Sequence, residues 1–472
     1  MLADKPVLCP ILIGRGTHLA LLDQLLAQVQ GRRAQTALIA GEAGNGKSRL
    51  VAEAKARAAR QNFLVLQGNC FESDRALPYA PLIDLLRGVF GTRPSAEISR
   101  DLGSAASVFV RLLPELAPSF SRPAPASDLD PEQEKRHLIQ AFSQFFARLA
   151  LAQPLLLVVE DLHWSDDESL EALLTIIRRA SAQPVLVILT FRNDEITPAL
   201  NRFLADLERE RLAAELTLPR LNPAEVDSML RAIFELQRPV QAEFLNAIYG
   251  LSEGNPFFIE EILKSLIATG DIFFVEADGK WDRKPLNQLR IPRTVQVAVQ
   301  RRTDDLSPAA RQLLGLAAVA GRRFDFTLLQ KLTQRGEAEL VLLVKELMAA
   351  QLVVEESAET FAFRHALTRQ AVYADMLARE RKALHQTIAG FLETATPETR
   401  LADLAHHFYE AGSWEKAMDY SQRAGRKAVS LYAMSAAAEH FTRALEAMRQ
   451  RRRAITSKPA CTSNGPWKPP AP

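Results

Sequence analysis

The sequence predicts an α/β domain built on a parallel sheet covered by helices on both faces, followed by a series of mostly helical units. Three observations predict it. Short runs of nearly continuous apolar residues recur through the first half, helical patterns separate them, and a glycine-rich turn follows the first run directly. Alternating strands and helices give parallel sheets, and strands buried on both faces read as unbroken apolar runs. With 472 residues and 47% hydrophobic content, the chain exceeds one ordinary core and suggests about two to four domains.

Taken in order, the strand runs are TALIA (36–40), FLVLQ (63–67), LLLVVE (155–160), VLVILT (185–190) and AELTL (214–218). A helical stretch follows from about Asn222 to Thr269, and then IFFVEADGKWDR, where Asp278-Gly279 between alternating residues predicts a hairpin. From Ile291 to about Ala378, helical patterns lead into two extended runs, QLVVEE and TFAFRH, an order that resembles a winged helix. Residues from Arg379 to Gln450 are alanine-rich and helical, resembling tetratricopeptide-type pairs with a turn at Gly412-Ser413-Trp414. Room for only about two such units makes the array short. The last segment, RRRAITSKPACTSNGPWKPPAP, has the composition of a disordered tail. The expected boundaries are 1–220, 221–275, 276–378, 379–450 and 451–472.

Bulk chemistry narrows the setting. Charged residues make up 24% of the chain and the formal net charge is +2, so no global field points to nucleic acid or an anionic membrane. Cys9, Cys70 and Cys461 are scattered, without metal-ligand or disulfide spacing. Neither a secretion signal nor a membrane-spanning run is present in the sequence, so the expected location is the cytoplasm, with no membrane partner.

The strongest chemical signal is GEAGNGKS, comprising Gly41, Glu42, Ala43, Gly44, Asn45, Gly46, Lys47 and Ser48, with Arg49 opening the helical run behind it. A strand, this loop and a helix in that order form a P-loop. Glycines let main-chain N–H groups wrap phosphates, Lys47 reaches the β and γ phosphates, and the Ser48 hydroxyl can ligate Mg²⁺. The predicted ligand is a nucleoside triphosphate with magnesium, ATP first. Such a loop needs an acidic partner on a neighbouring strand, and Glu160 and Asp161 stand where LLLVVE stops. Glu160 is placed to hold Mg²⁺ together with Ser48, and Asp161 to orient or deprotonate the attacking water. Ser165, Asp166 and Asp167 compete as caps of the following helix. Arg192, at the end of VLVILTFR, can read the γ-phosphate, or else pair with Asp194 or Glu195.

These residues resemble the STAND group of AAA-like ATPases, in particular the ATP-binding part of large LuxR-family regulators and modules associated with nucleotide cyclases. LIGRG resembles their opening motif, EDLHWSD the magnesium strand, LTFRNDE the sensor strand, LSEGNPFFIEEIL the lid, and FAFRHALTRQAVYADML the joint to the helical repeats. The matches run from about Leu12 to Leu445. The resemblance implies an ASCE-type parallel sheet, a helical lid and a winged helix. It also implies adenine and ribose contacts at Gly14, Arg15 and Pro256, and a nucleotide contact at His365. Gly16 stands where the group usually has glutamate.

The expected function is an ATP-operated signalling switch with slow hydrolysis, in transcriptional or signal regulation, binding ATP or ADP and assembling with nucleotide. A protein or small-molecule signal is expected on the helical C-terminus, in a chain cut short of any output domain. A second expectation is an origin-recognition-like ATPase binding DNA with Arg301, Arg302, Arg322, Arg323 and Lys331 on its winged helix. A third is an ATP-binding scaffold without turnover.

Overall fold

The computed structural model describes residues 8–71, 75, 77–90, 102, 106–113, 131–275, 280–285, 294–395 and 400–456. Five strands, β1 (Gln35–Ala40), β2 (Leu64–Asn69), β3 (Leu155–Glu160), β4 (Val185–Phe191) and β5 (Ala214–Thr217), form one parallel sheet in the order β2-β3-β4-β1-β5. All of β3 and β4 is buried. The reason is the two-residue period of a strand. Leu155, Leu157, Val159, Val185, Val187 and Leu189 enter the core on one face. Leu156, Val158, Leu186 and Ile188 enter the core on the other, beside Ala37 and Ile39. Burying each such side chain stabilises the fold by about 1.5–3 kcal/mol, which requires helices on both faces.

The strand order corrects one expectation. The acidic strand β3 does not adjoin β1; β4 lies between them, pairing Ile39 with Thr190 on one side and Val159 with Leu189 on the other. Apolar runs reveal that a strand is central but not which strand is beside it.

Helix starts follow local chemistry. Asp166 caps the helix Asp167–Arg179, accepting from Ser169 N at 2.9 Å. Asn222 and Glu225 form a reciprocal capping box on Pro223–Phe234. That helix, Ala242–Ser252 and Pro256–Ala268 build a separate three-helix core. The strands β6 (Ile272–Val275) and β7 (Lys280–Arg283) pair antiparallel after it. Their Asp278-Gly279 connection lies outside the described residues.

Beyond Val295, helices pack on a three-stranded antiparallel sheet in the order β8-β10-β9, with β8 (Arg323–Asp325), β9 (Val353–Glu355) and β10 (Thr360–Phe363). The expectation was two strands; β8, only three residues long, is too short to register as a pattern. Helices Ala378–Ala395, Leu401–Ala411, Trp414–Ser430 and Met434–Thr456 come next. Ile388, Leu404, Phe408 and Tyr420 from these helices share one core with Leu313, Phe324 and Phe363. The last helix runs through Thr456, past the point where a disordered tail was expected to begin; residues 457–472 lie outside the described residues. Its N-terminal turn touches the sheet domain, where Ser435 N donates to Glu168 at 3.1 Å.

A buried ion cluster joins the three-helix unit to the helix Val295–Asp304. Glu261 accepts from Lys264 Nζ at 3.1 Å and from the Arg302 guanidinium, and all three residues are buried. Removing one partner of a buried pair leaves the other charge uncompensated. Arg302→Ala is therefore expected to lower stability by about 3–5 kcal/mol in denaturant unfolding, whereas the exposed Lys331→Ala should leave the midpoint in place.

Candidate functional site

The glycine-rich loop leaves β1 at Ala40 and enters the helix Lys47–Arg60. Gly44 and Gly46 hold φ of 86° and 90°, where a side chain is strained. At Gly44 a Cβ would also lie 2.6 Å from Asn255 Oδ1, so the loop and the Pro256–Ala268 helix meet there without room to spare. Asn255 Nδ2 donates to Ala43 O at 2.9 Å, and Phe257 N to Gly44 O at 3.3 Å. On the opposite side the buried Arg15 donates to Pro219 O at 2.6 Å and Asn45 O at 3.3 Å. Asn45 Nδ2 donates to Leu218 O at 3.1 Å. The loop is thus braced by side chains from both flanks.

Lys47 is 7% exposed, and its ammonium donates to the carbonyls of Gly41 at 2.7 Å and Glu42 at 3.0 Å. Burial, opposed by Asp161, pulls its pKa down to about 8. The Ser48 hydroxyl lies beside the Glu160 carboxylate, which accepts from Gln67 Nε2 at 2.8 Å. Burial pushes the Glu160 carboxyl up, against the lowering effect of Ser48. Asp161 begins a 3₁₀ turn with φ 64°, and its N–H donates to Thr190 Oγ1 at 2.9 Å, fixing the tip of β3 to β4. Arg192 pairs with Glu195 at 2.5 Å.

Around these groups lies a cavity of about 370 Å³. Gly44, Gly46, Lys47, Ser48 and Arg49 form its floor, with Asp161 and Arg192 at one side. Pro256, Phe257 and Glu260 close a second side, and Arg322, Arg364 and His365 a third. Five basic residues (Lys47, Arg49, Arg192, Arg322 and Arg364) face two carboxylates (Asp161 and Glu260) among the described residues of the lining. That balance suits a polyanion.

The sequence-nominated residues therefore converge, with distinctions. Ala43, Pro256 and His365 line the cavity, and His365 lies 4.4 Å from the Phe257 ring, its pKa held well below the usual value by burial and nearby cations. Glu160 stands behind Ser48, outside the lining. Gly41, Glu42, Gly14 and Arg15 are outside it too. Gly14 abuts Glu225, where a Cβ would lie 2.4 Å from Oε1, and Arg15 supports the loop from below.

Sequence reasoning missed two contributors. Arg322, considered only as a DNA contact, donates to Asp161 Oδ2 at 2.6 Å. Arg364, adjacent to His365 in FAFRH, is the other. The remaining basic residues nominated for DNA are also mostly engaged, Arg302 with Glu261 and Arg323 with Glu356 at 2.6 Å. His163, buried next to Asp161 and held neutral with a pKa lowered to about 4, was likewise not singled out.

Residues 11–188 match the family described as "AAA ATPase domain". Among curated proteins, the chain is 26% identical over 463 residues to the uncharacterized protein R02095 of Rhizobium meliloti, covering 92% of this chain and 42% of that protein. It is 21% identical over 310 residues to the peroxide stress-activated histidine kinase mak3 of Schizosaccharomyces pombe, covering 63% of this chain and 13% of the kinase. The chain thus spans less than half the length of either. Among solved structures, a STAND (signal transduction ATPase with numerous domains) protein with a tetratricopeptide repeat sensor, PH0952 from Pyrococcus horikoshii, is similar in fold. The TM-score is 0.50 at 15% identity, covering 95% of this chain and 59% of that one.

Burial of Lys47 has a pH consequence. With a folded pKa near 8 and an unfolded value of 10.5, the unfolded chain holds more protons between those pH values, so this residue adds stability as pH rises through that window. In nucleotide-free protein, Lys47→Met is expected to be stabilising at pH 7, with the advantage shrinking from pH 8 to 10.5. Urea titrations of both proteins across that range would reveal it, and a difference independent of pH would contradict the assignment.

Proposed function

We propose that this chain is an ATP-binding signalling switch that hydrolyses ATP slowly with Mg²⁺. The observation that carries the reading is the convergence of Lys47, Ser48, Asp161 and Arg192 with Arg322, Arg364 and His365 on one cation-rich cavity. A triphosphate there would replace the two carbonyls now bonded by Lys47 with phosphate oxygens. Ser48 and Glu160 would hold Mg²⁺, whose Lewis acidity supports phosphoryl transfer when it is bound. The hydroxyl oxygen of Ser48 and the carboxylate oxygens of Glu160 beside it are hard donors that fit such an ion. Asp161 would orient the attacking water, and Arg192 would read the γ-phosphate.

The switch follows from where the walls come from. Pro256 and Phe257 belong to the helical lid, and Arg322, Arg364 and His365 to a winged-helix unit, so nucleotide in the cavity would contact three bodies at once. Contacts that differ between ATP and ADP would bias their arrangement. The tetratricopeptide-like helices, sharing a core with the winged helix, would carry the change toward a protein or small-molecule signal. Nucleotide-dependent assembly and a role in transcriptional or signal regulation belong to the same proposal.

Arg322 occupies one carboxylate oxygen of Asp161, so for as long as the pair persists it would restrain turnover. Removing the P-loop ammonium, Lys47→Ala, is expected to weaken ATP and ADP binding at least tenfold in calorimetry; undiminished affinity would refute the reading. Asp161→Asn should bind ATP yet release phosphate at least tenfold more slowly than the parent. Arg322→Gln is expected to raise phosphate release several-fold, and a decrease would mean that this guanidinium assists the reaction.

A further inference from the structure

A second polar cluster lies on the C-terminal helices, in a cavity that shares Asp161, Arg192 and Arg322 with the cation-rich one. Helix Ala378–Ala395 carries His385, and Leu401–Ala411 carries His406 and His407. One ring nitrogen from each lies within 4.8 Å of the other two, and His385 and His407 are buried. His385 Nδ1 and His407 Nδ1 approach to 2.8 Å. Two imidazoles can stand so near only with a proton between them or with both lone pairs on one cation. A shared proton accounts for two rings and leaves His406 without a reason to face them. A cation uses all three.

From these positions we propose that His385, His406 and His407 form a binding site for a divalent transition-metal ion, zinc foremost. Zinc takes imidazole nitrogens at about 2.0–2.1 Å in tetrahedral geometry, which sets two such ligands about 3.3 Å apart. The His385–His407 spacing of 2.8 Å is near that, and His406, with its ring nitrogen within 4.8 Å of both, would have to turn toward the ion. The Tyr373 hydroxyl lies 3.0 Å from His385 Nε2. A hydroxyl accepting from Nε2–H leaves Nδ1 as the ligand, the usual part of an outer-shell partner.

The arginines Arg369, Arg381, Arg400 and Arg443 stand around the three rings. Those cations are themselves partly engaged: Arg400 pairs with Asp403 at 2.9 Å, while Arg369 and Arg381 donate to the carbonyls of Ala318 and Tyr373. The three rings also line a cavity of about 580 Å³ together with Asp403 and Glu410. Three nitrogens with open space beside them leave a coordination position for water or a further ligand.

The full chain, stripped with chelator, would be titrated with Zn²⁺ against a chromophoric competitor and separately with Co²⁺. One equivalent of zinc and visible d–d absorption from cobalt are expected. His385→Gln and His406→Gln should each lower zinc affinity at least a hundredfold, and Tyr373→Phe about tenfold. His440→Gln, a buried histidine outside the cluster, should change nothing. Zinc affinity unaltered in a His385→Gln/His406→Gln protein would overturn the proposal. So would the absence of cobalt absorption in the parent chain, a measurement that does not depend on any variant folding.

Discussion

A lysine ammonium buried at a strand tip, with two backbone carbonyls as its hydrogen-bond partners, sets the condition to which the rest of the site responds. Desolvation penalises the Lys47 charge, and carbonyl dipoles compensate only in part. The position is maintained because it is over-determined from elsewhere. The sheet holds one end of the loop through β1, and Arg15 and Asn255 fix it from two sides. Without those braces the ammonium could relax toward water. With them, an anion is the natural partner.

The same geometry explains why three bodies meet here. In an open parallel sheet the carboxyl ends of the strands form a crevice that the sheet itself does not cover. Asp161 and Arg192 emerge there from β3 and β4, with Thr190 linking the two tips. The crevice is then closed by the Pro256–Ala268 helix and by Arg322 at the head of β8. Burying charged groups from separate units against one another has a cost, partly offset by the Asp161–Arg322 and Glu261–Arg302 pairs.

Much of this was legible in the sequence, and for definite physical reasons. The apolar runs located all five parallel strands, most plainly β3 and β4, from which burial on both faces removes polar residues. GEAGNGKS identified its own loop, since the positive φ at Gly44 and Gly46 limits which residues can stand there. Adjacency was not legible: nothing in LLLVVE or VLVILT says that β4 separates β3 from β1. Nor was Arg322, whose partner Asp161 is 161 positions away in the chain. Arg15 was recognised as part of a motif, but its place under the loop depends on the carbonyl of Pro219, which no pattern records. Histidines on two helices likewise become a cluster only when the helices are packed.

In the proposed switch, Asp161 and Arg322 compete for partners. Arg322 lines the cavity while bonding Asp161, so a phosphate group entering the cavity would offer the guanidinium a second, stronger acceptor. Whatever free energy that exchange releases is coupled to the release of Asp161, because one side chain cannot fully serve both. The γ-phosphate is the group nearest to chemistry and the one lost on hydrolysis. A ligand lacking it would leave Arg322 with Asp161, and a ligand carrying it would draw the two apart. Beside the reading by Arg192, the distinction between the two nucleotides would then pass through Arg322 into the core that β8 shares with the C-terminal helices.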